Sequence, residues 1–127
     1  MVAPVIPGLT DHEVEAILGA AAEAGAGWAG WVLLRLPHEL KDVFPAWLAE
    51  SEPTRAGKVL SRLRAMRRGE LYDSRFNVRG RGTGPHAELL ARRFDLARRR
   101  LGLDRPLPEL DVTSFRAPGR AGPSRLF

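Results

Sequence analysis

The chain has 127 residues and no cysteine, with 20 Lys+Arg against 15 Asp+Glu for a formal net charge of +5. That length holds one domain with a modest core and not two, and a hydrophobic fraction of 44% excludes a wholly disordered chain. The missing thiols exclude a disulfide framework, a Cys-ligated zinc, a Cys-held iron–sulfur cluster and a Cys nucleophile within this polypeptide.

In chain order, Met1 to Leu9 is short, apolar and β-branched at Val2, Val5 and Ile6. It predicts a strand ending near Ile6 and a turn at Pro7-Gly8. Thr10-Asp11-His12-Glu13 matches a capping box, with Val14, Ile17, Leu18, Ala21 and Ala22 on one face of the helix that follows and Gly25 as its left-handed cap. Trp28 to Leu36 predicts a second strand covered on both faces, stopped by Pro37. Strand, helix, strand at this spacing is a βαβ unit with parallel strands.

From His38 the pattern is helical. Glu39 to Glu50 is amphipathic, with Leu40, Val43, Phe44, Trp47 and Leu48 inward and a kink or break expected at Pro45. Thr54 to Arg68 is the next helix, closed by Gly69. Residues 70–84 form a long irregular loop, and Pro85 opens a last helix running to about Leu101, with Leu89, Leu90, Phe94, Leu96, Ala97 and Leu101 as its apolar positions. Residues 105–127 are rich in Pro and Gly and predict a loosely attached tail. No apolar run nears the ~20 residues of a membrane helix, and no basic patch precedes an apolar stretch at the start. The expectation is a cytoplasmic chain with no membrane partner.

Charge is uneven. Residues 1–54 carry Arg35 and Lys41 against eight acids, whereas residues 55–105 carry 15 basic side chains against 5 acidic ones. Such asymmetry fits an anionic partner for the basic half. It also fits a fold in which the halves neutralise each other, or an arginine-rich codon bias.

Two parallel strands alone do not make a sheet that buries both faces. The expected architecture is therefore α/β and mostly helical: the C-terminal βαβ of a partial (β/α) barrel in residues 1–37, a helical region over 38–104 and the tail, incomplete by itself. A small α+β domain, or a dimer completing the sheet, are the rival arrangements.

Ala3-Pro-Val-Ile-Pro-Gly-Leu-Thr-Asp-His-Glu13, Val32-Leu-Leu-Arg-Leu-Pro-His-Glu39, Tyr72-Asp-Ser-Arg-Phe76 and the stretch Arg79-Gly-Arg-Gly-Thr-Gly-Pro-His-Ala-Glu-Leu-Leu-Ala-Arg-Arg-Phe94 occur in that order. This run resembles the C-terminal part of the radical SAM proteins of the DNA repair photolyase family, relatives of spore photoproduct lyase. The resemblance covers roughly residues 1–104. It implies a partial (β/α) barrel in which a Cys-x-x-x-Cys-x-x-Cys loop near the N-terminus holds a [4Fe–4S] cluster that cleaves S-adenosylmethionine to a radical. Those cysteines are absent here, so the expectation is a chain without catalysis of its own, partnered by the missing N-terminal portion of the barrel. Met1 is then an internal methionine, the product of a frameshift or the start of a separate subunit.

The resemblance also implies site residues. Ile6-Pro7-Gly8-Leu9-Thr10-Asp11 is similar to the Ile-x-Gly-x-x-Glu strand end that touches the cofactor's adenine in radical SAM enzymes, with Asp11 in place of Glu; this makes Ile6, Gly8 and Asp11 cofactor-binding candidates. A plain strand-to-helix turn is the structural alternative. Arg35, among apolar neighbours at the next strand end, is expected to be buried and to face either the cofactor or a nearby acid such as Glu39 or Asp42. The 70–84 loop holds Arg75, Arg79 and Arg81 with Gly80, Gly82 and Gly84, an Arg-Gly alternation from Arg79 onward with Tyr72 and Phe76 nearby. That composition suits single-stranded nucleic acid through phosphate pairing and stacking. It also suits a loop packed across the barrel end with Asp73 pairing an arginine. His12, His38 and His86 follow no metal-ligand spacing.

Overall fold

A computed structural model of the chain describes residues 1–115; the part of the expected tail from 116 to 127 lies outside the described residues. The elements are β1 (Val2–Val5), α1 (Val14–Glu23), β2 (Trp31–Leu33), α2 (Leu40–Ser51), α3 (Pro53–Ala65) and α4 (Pro85–Arg100). β1 and β2 pair in parallel, as the βαβ pattern predicts. Val2 lies opposite Trp31 and Val5 opposite Leu33, so β1 carries one residue more than β2 between those pairs, an irregularity of the bulge kind.

The sheet has a core on each side. Val5, Trp31 and Leu33 join Val14 and Leu18 of α1 and Leu90, Phe94 and Ala97 of α4 in the larger one. Leu36 joins Leu48 of α2 with Val59 and Leu63 of α3 in the smaller one, against which Ile6 and Leu34 also pack. The result is a mostly helical α/β unit.

β2 is much shorter than the expected 28–36. The Leu34 N–H still donates to the Val5 carbonyl at 2.9 Å, after which the chain leaves the sheet, and before Trp31 the pairing partner changes: Trp28 makes an isolated antiparallel bridge with Asp104. Two other segments serve the edge of β2 remote from β1. The Leu33 N–H donates to the Gly80 carbonyl at 2.8 Å, and the Ala29 N–H donates to the Leu103 carbonyl at 2.9 Å. The 70–84 loop thus lies along that edge of β2. β1 has no such cover: it is the edge strand, Ala3 and Pro4 are exposed, and among the described residues only β2 pairs with it.

Three further expectations need correction. The capping box is not formed. The Thr10 hydroxyl accepts from the Ile6 N–H at 2.9 Å instead, and Glu13 precedes α1 without a side-chain cap bond, because residues 6–11 close a turn of their own. Of the two outcomes expected at Pro45, the break is not found, since the proline lies inside a continuous α2. Of the five residues expected inward on α2, only Leu48 is buried; Leu40, Val43 and Trp47 are exposed. Ile17, Leu89 and Leu96 are likewise exposed. Gly25, Gly69 and Gly102 take positive φ after α1, α3 and α4 as the sequence predicts. Residues 105–115 carry no helix or strand and are exposed.

Candidate functional site

The turn after β1 is built from its own backbone. The Ile6 carbonyl accepts from the N–H groups of Leu9 and Thr10 at 3.0 and 2.9 Å. The Gly8 N–H donates to Asp11 Oδ1 at 2.8 Å, and Gly8 adopts φ +86°, a conformation that favours glycine. The space above its α-carbon is taken: a Cβ there would lie 3.2 Å from Arg62 Nη1 and 3.7 Å from Val59 Cγ2. Arg62 in turn sits 3.6 Å from Asp11 Oδ2. Ile6 packs against the smaller core. These three residues thus form a strand-to-helix turn packed on α3. The close approach at Gly8 is made by Arg62 and Val59 of α3, and a chain without cysteine holds no ligands for the cluster. Among the described residues no group of three His, Cys, Asp or Glu is placed to hold a metal ion.

Arg35 is a correction. It is exposed rather than buried, and no acid pairs with it among the described residues. It lines a cleft of about 320 Å³ together with Trp31, Phe76, Arg79 and Arg81, apart from the Gly8–Asp11 turn. The cofactor-binding candidates therefore divide into two places, and Arg35 joins the basic loop.

Arg79 and Arg81 face that cleft, each guanidinium over a ring. Arg79 lies 5.0 Å from the centroid of Phe76, and Arg81 lies 4.7 Å from that of Trp31. Such stacking holds the cation in place without neutralising it. Arg75 does not join them: its Nη2 donates to Asp73 Oδ2 at 2.5 Å and its Nε to Oδ1 at 3.0 Å. The Arg75 guanidinium pulls the Asp73 carboxyl down to about 2, so the pair is closed at any physiological pH. The arginines that converge are Arg35, Arg79 and Arg81.

The loop carrying two of them is anchored by a residue that the sequence reading did not single out. Arg67, just past α3, is 1% exposed. It donates to the Leu34 carbonyl at the end of β2 and, at 2.5 Å, to the Leu71 carbonyl at the start of the loop. Burial pushes its pKa down, and the nearby Asp73 and Tyr72 oppose that. A signal for it exists in the sequence: Val59, Leu63, Met66 and Arg67 fall on one helical stripe. Further along, the Thr83 N–H donates to the Met66 carbonyl at 2.9 Å, so the loop is tied at both ends to the C-terminal end of α3.

The acidic and basic halves meet in part across the fold. Arg93 of α4 forks onto Glu15 of α1 at 2.8 and 2.9 Å, and Arg62 approaches Asp11. No helix among the described residues is long and apolar enough to cross a membrane. Comparison with protein-family models finds none that matches, and comparisons with curated proteins and with solved structures find no significant match either.

Proposed function

We propose that the chain is the C-terminal part of a radical SAM protein similar to the DNA repair photolyase and spore photoproduct lyase family, and that it has no catalysis of its own. The observation that supports this best is the parallel β1–β2 pair with helices on both faces and an open outer edge at Ala3 and Pro4. That edge is where further barrel strands would add. The turn at Ile6 to Asp11 and Arg35 then follow the C-terminal ends of adjacent strands, the end at which barrel sites lie. The role of this chain is to close the barrel and to hold an arginine-lined rim beside it. Reductive cleavage of S-adenosylmethionine by a [4Fe–4S] cluster belongs to the cysteine-bearing portion, and no step is assigned to residues here.

The test is to translate the DNA upstream of the Met1 codon in all three frames. A Cys-x-x-x-Cys-x-x-Cys loop is expected. The polypeptide that restores it, joined to this chain and reconstituted with iron and sulfide, should release 5′-deoxyadenosine from S-adenosylmethionine on reduction. No such loop in any frame overturns the reading.

A second reading, a basic nucleic-acid-binding module, is favoured by one observation: Arg35, Arg79 and Arg81 share a cleft with Phe76, and Phe76 is 74% exposed. Binding of the isolated chain to DNA should then weaken steeply with salt, and Arg79→Ala should shallow that dependence by about 0.7 in log–log slope for a single strand. A salt-independent interaction, or none, removes this reading.

A further inference from the structure

The arginine cleft continues into a second depression. A cavity of about 360 Å³ lies beside it, between the segment entering β2 and helix α4, with Trp28, Trp31 and Phe94 as walls and Arg81, Arg92 and Arg98 around them. Trp31 and Arg81 line both cavities, so the two adjoin at the Arg81 guanidinium stacked on Trp31.

Trp28 is set up as a platform. Its backbone is fixed by the bridge to Asp104. The benzo edge of its indole lies against Gly30, where even a Cβ would come within 2.6 Å of Trp28 Cη2. Yet 42% of the residue stays exposed. An indole resting by its edge on Gly30 and open to solvent offers a face on which a flat ring can stack. The charge of this half is also uncompensated. Among the described residues Asp95 is the only acid lining it, and both its oxygens are engaged, Oδ1 by Arg98 at 2.9 Å and Oδ2 by Arg99 at 2.5 Å. Arg98 Nε is buried without a partner. Arg81 and Arg92 have no acidic partner among the described residues.

We infer that this groove binds a single-stranded polynucleotide, with a base stacked on Trp28 and its flanking phosphates paired with Arg92 and Arg81, the strand then running on towards Arg79 and Arg35. The inference rests on the second reading above and adds to it the stacking site and the path of the strand. An exposed aromatic face between guanidinium groups without acidic partners among the described residues matches the alternation of base and phosphate along a single strand. A duplex hides its base faces and would leave Trp28 unused.

The full chain carrying Trp47→Phe, which leaves Trp28 and Trp31 as the only indoles, is titrated with oligothymidylate while its fluorescence is followed. Saturable quenching is expected, with duplex DNA of the same length a weaker competitor. Trp28→Ala should weaken binding by roughly 5- to 100-fold. Arg92→Ala, a change on an exposed helix face, should weaken it and reduce the salt slope by about 0.7. Far-ultraviolet circular dichroism checks that each variant folds. Binding that Arg79→Ala weakens, but with no quenching and no effect of Trp28→Ala or Arg92→Ala, overturns the groove and leaves the basic module standing. Equal or tighter binding of duplex overturns the single-strand assignment. No binding of either nucleic acid removes the module reading and this inference with it.

Discussion

Arg67 shows how one side chain holds the candidate site together. Its guanidinium spans the Leu34 and Leu71 carbonyls, so a cation joins the end of β2 to the loop bearing Arg79 and Arg81. Arg67→Lys keeps the charge but loses the fork, and a single ammonium in that place cannot reproduce its two-pronged geometry. The variant should lose about 1–3 kcal/mol in urea unfolding, and no loss would mean that the two carbonyls find other partners. Gly82 is a second test at this scale. It adopts φ +76°, and a Cβ there would lie 3.1 Å from Leu33 Cδ2 and 3.2 Å from the Met66 carbonyl. The left-handed backbone alone costs an alanine about 1–2 kcal/mol. Gly82→Ala should therefore destabilise the chain by at least that much, measured in the same way. Such positions differ in legibility. The spacing of Gly82 in an Arg-Gly run marks a special backbone, and the helical stripe from Val59 marks Arg67. Arg35 sits among leucines and looks buried in the sequence, but the short β2 places it past the sheet.

Helices α1 and α4 are locked by the Glu15–Arg93 fork, and here the charge asymmetry of the sequence finds part of its explanation. The Arg93 guanidinium holds the Glu15 carboxyl below its ordinary range. A carboxyl depressed in the folded state adds stability above its unfolded pKa and loses it as the pH falls through the folded value. The wild-type advantage over Glu15→Gln should thus be full near neutral pH, shrink through the carboxylate range and vanish in strong acid. Both side chains are more than a third exposed, so solvent screening limits it to about 0.5–1 kcal/mol. Urea melts of the two proteins across pH check it; an advantage that grows in acid would refute the pairing. Element boundaries were legible where glycine and proline punctuate, at Gly25, Pro85 and Gly102, whereas α3 ends at Ala65, short of the expected Arg68 before Gly69. The capping box was not, because Thr10 satisfies the Ile6 N–H while Asp11 closes on Gly8. Local pattern cannot decide which donor a hydroxyl will choose.

The parallel βαβ was readable across the molecule as a whole, but the unequal filling of its two faces was not, since burial depends on neighbours that periodicity does not name. The larger core takes residues from both strands, α1 and α4. The smaller one has four fully enclosed side chains, and α2 supplies only Leu48 among them. Each enclosed apolar side chain contributes about 1.5–3 kcal/mol, so α2 is held by little more than one such contribution and the partly buried Phe44. Its Leu40, Val43 and Trp47 remain 41%, 55% and 46% exposed. Local opening free energies follow buried contact. In hydrogen exchange on the isolated chain, the amides of α2 should therefore exchange at least about tenfold faster than those buried in α4, a difference of about 1.4 kcal/mol or more in opening free energy. Adding the cysteine-bearing polypeptide should slow exchange at Ala3, whose strand edge it would pair. Uniform protection of α2 and α4 would show one cooperative core. In that case the exposed face of α2 and the open edge of β1 are tolerated features of a self-sufficient domain, and the case for a missing barrel portion loses its physical basis.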